Sequence, residues 1–351
     1  MADPISAVTI GCDLGDKRSS LCVLWPNGRT ERPPPVKTTR TAMRAFFTRP
    51  TAHVVMEVGT HSRWVSALLL ELGHQVTVAN ARRVRLISQN DSKSDQVDAE
   101  LLARLGRADT KLLSPVRHRG MEAQADLAVP KARDALVACR TRLINVCRGL
   151  VKSSGHRLSK CRSQGFHRQV AEQIPEPLRP ALEPILELLQ SVEDTIKRHD
   201  KTIEQLAKKY PDVEVIGQPS GVGTLTALVF LLTLEDKTRF KSSRTVGAYL
   251  GLRPRKDQSG DGDPQLRITK AGDPFLRRLL IQCASYVLGP FGPDSDLKTW
   301  GLELGKRGGK NAKKRARVAV ARKLACLMHR LWITGQVYEP LGYHAAHSTA
   351  A

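Results

Sequence analysis

Two short apolar runs, each ending on a carboxylate, constrain this chain more than any other feature. Val8-Thr9-Ile10-Gly11-Cys12 stops at Asp13, and Ala52-His53-Val54-Val55-Met56 stops at Glu57. Apolar runs this short, rich in β-branched residues, read as buried strands rather than helices. Each acid then sits where a strand leaves the sheet. Two further acids, Asp95 and Asp98, lie three apart in Lys93-Ser94-Asp95-Gln96-Val97-Asp98-Ala99, where a helical pattern begins. That spacing lets both point to one side of a helix.

Carboxylates gathered together repel one another unless a cation lies between them. Divalent ions that act on phosphates take oxygen ligands and can serve both the attacking and the leaving oxygen. Asp13, Glu57, Asp95 and Asp98 therefore read as a metal-binding set. A second reading of the same spacing stays open, with Asp95 as a helix N-terminal charge and Asp98 as a solvated acid. Asp16 and Asp91 read as turn and loop residues, and His53 and His61, which flank Glu57, as packing or surface residues.

The acids are embedded in a strongly basic protein. Lysine and arginine outnumber the acids 56 to 34 over 351 residues, for a formal net charge of +22. Such a surface concentrates nucleic acid, with an affinity that falls steeply with salt. It would also attract an anionic membrane, but no run of about 20 apolar residues predicts a transmembrane helix. No basic region followed by an apolar stretch and a cleavage site opens the chain. Seven scattered cysteines without a Cys-x-x-Cys pair predict reduced structural thiols, so a cytoplasmic, nucleoid-associated protein is expected.

Strands are predicted at 5–12, 20–25, 29–37, 53–58 and 75–79, and helices at 38–48, 61–72 and 95–106. That order predicts an α/β domain over 1–112, a mixed sheet covered by helices in the manner of ribonuclease H. Strand signals then stop, and 113–210 is predicted as a helical, coiled-coil segment with helices at 130–152 and 178–208. Leu182, Ile185, Leu189, Val192, Ile196, His199, Ile203 and Leu206 follow heptad steps. They fit either a plain helical hairpin or an oligomerisation arm. Residues 211–340 read as a third, mainly α-helical domain.

That last domain carries its own candidates. Gly221-Val222-Gly223 before an apolar helix resembles the hairpin of a helix-hairpin-helix unit, whose amides grip phosphate without reading bases; an ordinary glycine turn is the alternative. From 251 to 330 there are 18 lysines and arginines against 7 acids. Ser259 lies in a loop among Arg253, Arg255, Lys256, Arg267 and Lys270, the positive surroundings that a serine attacking a phosphodiester would need. On sequence alone the default reading of Ser259 is an ordinary loop serine. Arg277 and Arg278, and Lys313, Lys314 and Arg315 within the run 306–323, are expected to contact phosphate backbone.

Taken in order, these pieces resemble the IS110 family of bacterial insertion-sequence transposases. The resemblance rests on Ile10 to Asp13, Val55 to Thr60, Lys93 to Ala99, Gly221 to Gly223, Arg239-Phe240 to Leu252, Ser259-Gly260 and Ile268 to Gly272 followed by Leu276-Arg277. Family members often carry proline where Ser220 stands; here the proline is Pro219. The resemblance implies a RuvC-like N-terminal domain whose Asp13, Glu57, Asp95 and Asp98 hold Mg²⁺ or Mn²⁺. It implies Ser259 as a nucleophile forming a transient phosphoserine link to DNA. It also implies a tetramer of paired dimers acting on donor and target double-stranded DNA, guided by a structured RNA from the element. Two rival functions stay open: a metal-dependent junction resolvase using water, and a non-catalytic architectural protein.

Overall fold

The computed structural model describes residues 8–80, 94–258, 262, 264 and 266–341. The chain divides into two compact units, Met1–Met121 and Glu122–Ala351.

The first unit is a mixed sheet with helices on its faces. Strand β1 (Thr9–Asp13) lies at its centre, antiparallel to β2 (Arg18–Leu24) and parallel to β5 (His53–Glu57). Strand β6 (Gln75–Ala79) continues the parallel side. The hairpin expected between the first two strands is present, with Asp13 opposite Ser20. The single strand expected over 29–37 is instead two fragments, β3 (Thr30–Glu31) and β4 (Val36–Lys37). Three consecutive prolines, Pro33 to Pro35, separate them. Proline offers no N–H to a ladder, so pairing breaks there.

Side chains alternate across the sheet, and both faces are buried. Ile10, Cys12, Val54 and Met56 pack with Met43 and Phe47 of α1 (Arg40–Phe47) and with Val65, Leu68 and Leu69 of α2 (Ser62–Glu71). The opposite face is covered by α3 (Asp95–Ala108), where Val55 joins Leu102 and Leu113. Gly11 is the reason α3 can lie so close. A Cβ on Gly11 would stand 1.8 Å from the Ala99 carbonyl oxygen, and one on Gly106 would stand 2.3 Å from Val55 Cγ2. Ser94 caps the helix, its hydroxyl accepting from Val97 N–H at 3.3 Å.

The second unit is mainly helical, with one antiparallel bridge between Pro254 and Ile268. Its long helices are α4 (Met121–Ser153), α6 (Arg179–Lys208) and α12 (Ala312–Thr334). The remaining helices are α5 (Phe166–Val170), α7 (Asp212–Ile216), α8 (Thr224–Leu234), α9 (Ser243–Tyr249), α10 (Pro274–Val287) and α11 (Asp296–Lys306). Helix α8 is buried on every side from Thr226 to Leu234, and the core forms around it from α10, α12 and the base of α4.

Helix α4 begins at Met121 rather than at 130, passing through Pro130. Along α6 the heptad positions Leu182, Leu189, Val192, Ile196 and Ile203 are buried as expected, but Leu186 is buried where Ile185 is only partly so. Much of this stripe is covered by the chain itself. Ile144, Cys147 and Val151 of α4 and Phe166 and Val170 of α5 pack on Leu182, Leu186 and Leu189.

Candidate active site

The alternation that builds the sheet decides where the first two acids point. Gly11 and Val55 face α3, so Asp13 and Glu57, each two residues further on, share that face. Cys12 pairs with Met56 in the parallel ladder, so the next register position places Asp13 beside Glu57. Both are partly buried. The charge of Asp13 adds to burial in pushing the Cys12 thiol far up, so that thiol stays protonated.

The helix brings the other two acids to the same end. Arg107, near the end of α3, donates to the carbonyl oxygens of Leu24 and Trp25. Leu24 is the partner of Thr9, so the C-terminus of α3 lies at the start of β1. The first turn of α3, with Asp95 and Asp98, must then lie toward Asp13. Asp98 is buried and Asp95 exposed. The Oδ1 atom of Asp98 is buried with no hydrogen-bond partner among the described residues.

A buried carboxylate oxygen without a donor is costly, and a bound cation is one occupant that would offset it. The donor set, all carboxylate oxygens at one end of one sheet face, suits a hard divalent ion. Among the described residues no three such side chains yet converge in a shared ligand sphere.

Other candidates fall into place. His53 stands at the start of β5, at the opposite end from Glu57, and bonds Thr77 Oγ1 at 2.8 Å. It is a packing residue, held below its ordinary pKa by burial. Asp16 is exposed in the β1–β2 turn, 3.6 Å from His61. Asp91 and Ser259 lie outside the described residues.

In the second unit, Gly221 adopts φ +87° and its Cβ position abuts the Tyr286 ring, whereas Gly223 opens onto free space at the start of α8. That helix has neither a side-chain cap nor an acid in its first turn. Arg253, Arg255, Lys256, Arg267 and Lys270 are exposed. They line a short antiparallel stem in which Arg255 N–H donates to Arg267 O at 2.9 Å and Thr269 N–H to Arg253 O at 2.9 Å. Lys313, Lys314 and Arg315 are exposed on α12.

The two arginines at the start of α10 are engaged differently from the sequence expectation. Arg277 is partly buried and donates through Nη1 to Leu250 O at 3.0 Å and Ala271 O at 2.7 Å, the two edges of the loop base. Arg278 pairs with Asp134 at 2.5 Å and lies over Phe275. Both thus have protein partners, and the Arg278 side chain remains half exposed. Sequence reasoning missed Arg277 as a loop clasp, since a basic pair opening an amphipathic helix looks the same either way. It also missed the bond between Ser62 Oγ and His118 Nε2, 2.9 Å long and 56 residues apart.

All seven cysteines are free thiols. No helix among the described residues is long and apolar enough to cross a membrane.

Comparison with known proteins agrees with this layout. Residues 10–155 match a family model described as "Transposase", for DEDD-type transposases of the IS110 group. Residues 214–296 match the "Transposase IS116/IS110/IS902 family". The chain is 29% identical over 343 residues to the "Transposase for insertion sequence element IS1111A" of Coxiella burnetii, covering 94% of this chain and 90% of that protein. It is 29% identical over 310 residues to a "Probable family 20 transposase" of Pseudomonas aeruginosa, covering 86% and 90%. With the "Transposase for insertion sequence element IS1328" of Yersinia enterocolitica it shares 30% identity over 254 residues, 68% of this chain and 71% of that one. The chain belongs to the IS110 family of insertion-sequence transposases, enzymes that recombine DNA.

Proposed function

We propose that this transposase works as a site-specific recombinase, cutting and rejoining DNA at the ends of its element through a phosphoserine intermediate. Asp13, Glu57, Asp95 and Asp98 are the proposed ligands of Mg²⁺, or of Mn²⁺ in its place. The observation that carries this reading is that Asp13 and Glu57, neighbours on parallel strands, stand at the sheet end toward which the first turn of α3 lies, with Asp98 Oδ1 buried and unpartnered among the described residues. Bound divalent cations would supply charge neutralisation and polarisation at the scissile phosphate.

The chain's own residues do the rest. The carboxylates fix where the phosphate sits, and the sheet beneath them keeps that place rigid. Ser259 Oγ attacks phosphorus, forming one P–O bond as the bond to the leaving sugar oxygen breaks and that oxygen leaves as a hydroxyl. A hydroxyl from the partner duplex then attacks the phosphoserine and releases the serine. Bond energy is retained throughout, so joining needs no nucleotide. The exposed Arg253, Arg255, Lys256, Arg267 and Lys270 around the loop and Lys313 to Arg315 on α12 are proposed to hold the strands. Gly221 and Gly223 are proposed to grip phosphate through backbone amides.

In the same reading a structured RNA supplies base pairing to donor and target, while the protein holds backbones. The charge of +22 supports this division, since charge gives affinity without sequence. The segment 113–210 is proposed to join subunits into a tetramer of paired dimers. Exposed Val146, Leu150 and Leu188 on its long helices support that role.

Trapping on a nicked suicide DNA with Mg²⁺ tests the chemistry. The wild-type protein should form a covalent adduct, absent in Ser259→Ala and in Asp13→Asn. Hydrolysis that persists in Ser259→Ala without any adduct would establish the water-using resolvase instead. Unchanged cutting and joining in Asp13→Asn would remove the acidic centre from the reaction.

A further inference from the structure

The register of the stem in the second unit decides which of its cations stand together. Pro254 and Ile268 face each other across it as an antiparallel bridge. The flanking bonds, Arg255 N–H to Arg267 O and Thr269 N–H to Arg253 O, set Arg255 directly opposite Arg267 and Arg253 opposite Thr269. Side chains alternate between the two faces of such a ribbon. Ile268 packs against the helical core, so Arg253, Arg255 and Arg267 share the face turned away from it. All three are exposed. Below them the stem is closed by the Arg277 guanidinium, which joins Leu250 O to Ala271 O.

Directly opposite residues on a ribbon bring their Cβ atoms to about 5 Å of each other, and like charges placed so repel. Arg253 follows on the same face, about 6.8 Å along the strand from Arg255. Among the described residues no acid forms an ion pair with any of the three, and Asp257, exposed two residues beyond Arg255, pairs with none of them. The three guanidiniums are therefore an uncompensated cationic face rather than part of a salt-bridged surface. An oxyanion that both opposed groups can reach offsets their repulsion, and the planar fork of arginine matches phosphate oxygens.

We propose that Arg255 and Arg267 act as a pair on one backbone phosphate of the DNA strand, with Arg253 taking the next phosphate along it. This assignment rests on the reading of the loop residues as strand contacts and deepens it, placing three of them on one short stretch of a single strand. Ser259 follows Arg255 by four residues, a reach of at most about 14 Å. The phosphates held by the stem then lie close to the one that the serine attacks, and the pair keeps that strand in place while its backbone is open.

The test uses the full-length protein and a 30-base-pair DNA duplex of mixed sequence, bound over a range of salt concentrations. A pair on one phosphate predicts that Arg255→Gln with Arg267→Gln lowers the slope of log affinity against log salt by about one, where two separate contacts would lower it by about two. Arg255→Lys with Arg267→Lys keeps the charge and should keep the slope, yet weaken binding severalfold because the forks are lost. Phenylglyoxal labelling of the wild type, read by peptide mass spectrometry, should show Arg255 and Arg267 protected severalfold by the duplex. A slope that falls by two or not at all would overturn the pair. Equal labelling with and without bound duplex would do the same, whether or not the variants fold. A pair that fails while adduct formation still depends on Ser259 leaves the proposed function standing. Protected arginines with adducts undiminished in Ser259→Ala would be the reverse.

Discussion

Asp98 shows at the scale of one residue why this site is costly to the apo fold. Its Oδ1 is buried without a donor among the described residues. Asp98→Asn removes the charge at nearly constant volume, so it should stabilise the metal-free protein by about 1 kcal/mol while lowering strand cleavage by ~100-fold. Thermal melts with and without Mg²⁺ check this. The wild type should gain from the ion and the variant should not, and a variant less stable than wild type without metal would contradict the account. His118 gives a second prediction. Its folded pKa of about 4 lies below the ordinary value of 6.5, so the folded state binds fewer protons between those pH values. Stability contributed by the neutral ring is present above pH 6.5 and is lost as pH falls toward 4. Denaturant titrations across that window should show His118→Gln losing about 2 kcal/mol less than wild type, allowing for partial solvent screening. The strand-end places of Asp13 and Glu57 were legible in the sequence because an apolar run that stops on a carboxylate is locally unusual. The Ser62–His118 bond was not, since nothing in either neighbourhood signals a contact across 56 residues.

Among the elements, β1 and α3 are the pair on which the site depends. Gly11 allows the helix backbone to touch the strand, and a methyl group there would meet Ala99 O at 1.8 Å. Gly11→Ala should therefore push α3 outward and cost about 3 kcal/mol, with the loss of metal binding exceeding what instability alone explains. Urea midpoints together with Mn²⁺ affinity measured well below the midpoint separate the two effects. The loop from Gly251 to Lys270 depends in the same way on Arg277. If that arginine closes the loop base, Arg277→Gln should reduce adduct formation ~10-fold, the value of one lost charged hydrogen bond, with DNA affinity changed less than twofold. A matching loss of affinity and salt slope would return Arg277 to the phosphate contacts. Element types along the first 110 residues could be read from period and turn residues. The break of 29–37 was written in Pro33-Pro34-Pro35, which outweighs the alternation around it. Helix α4 started earlier than its apolar stripe because Ala123 and Leu127 pack in the second unit's core, which only the tertiary fold reveals.

Over the whole molecule, the contrast that matters is a small acidic end within a chain of +22. Charge spread over both units should bind backbones with little sequence preference, and base-specific choice should then come from elsewhere. Purified protein should bind unrelated duplexes within a few-fold of one another, with affinity falling steeply between 50 and 200 mM salt, about a thousandfold or more if six or more phosphates are neutralised. Strong discrimination between duplexes by the protein alone would argue against a guide. The change from an α/β region to a helical one was visible from where strand signals stop, after the first α/β segment. The central claim is that Asp13, Glu57, Asp95 and Asp98 together hold divalent cations. Titration of the full-length protein with Mn²⁺, followed by electron paramagnetic resonance, tests it most directly. The account predicts about one or two bound ions in the wild type and their loss in Asp13→Asn and Asp98→Asn; the same stoichiometry and affinity in all three proteins would contradict it.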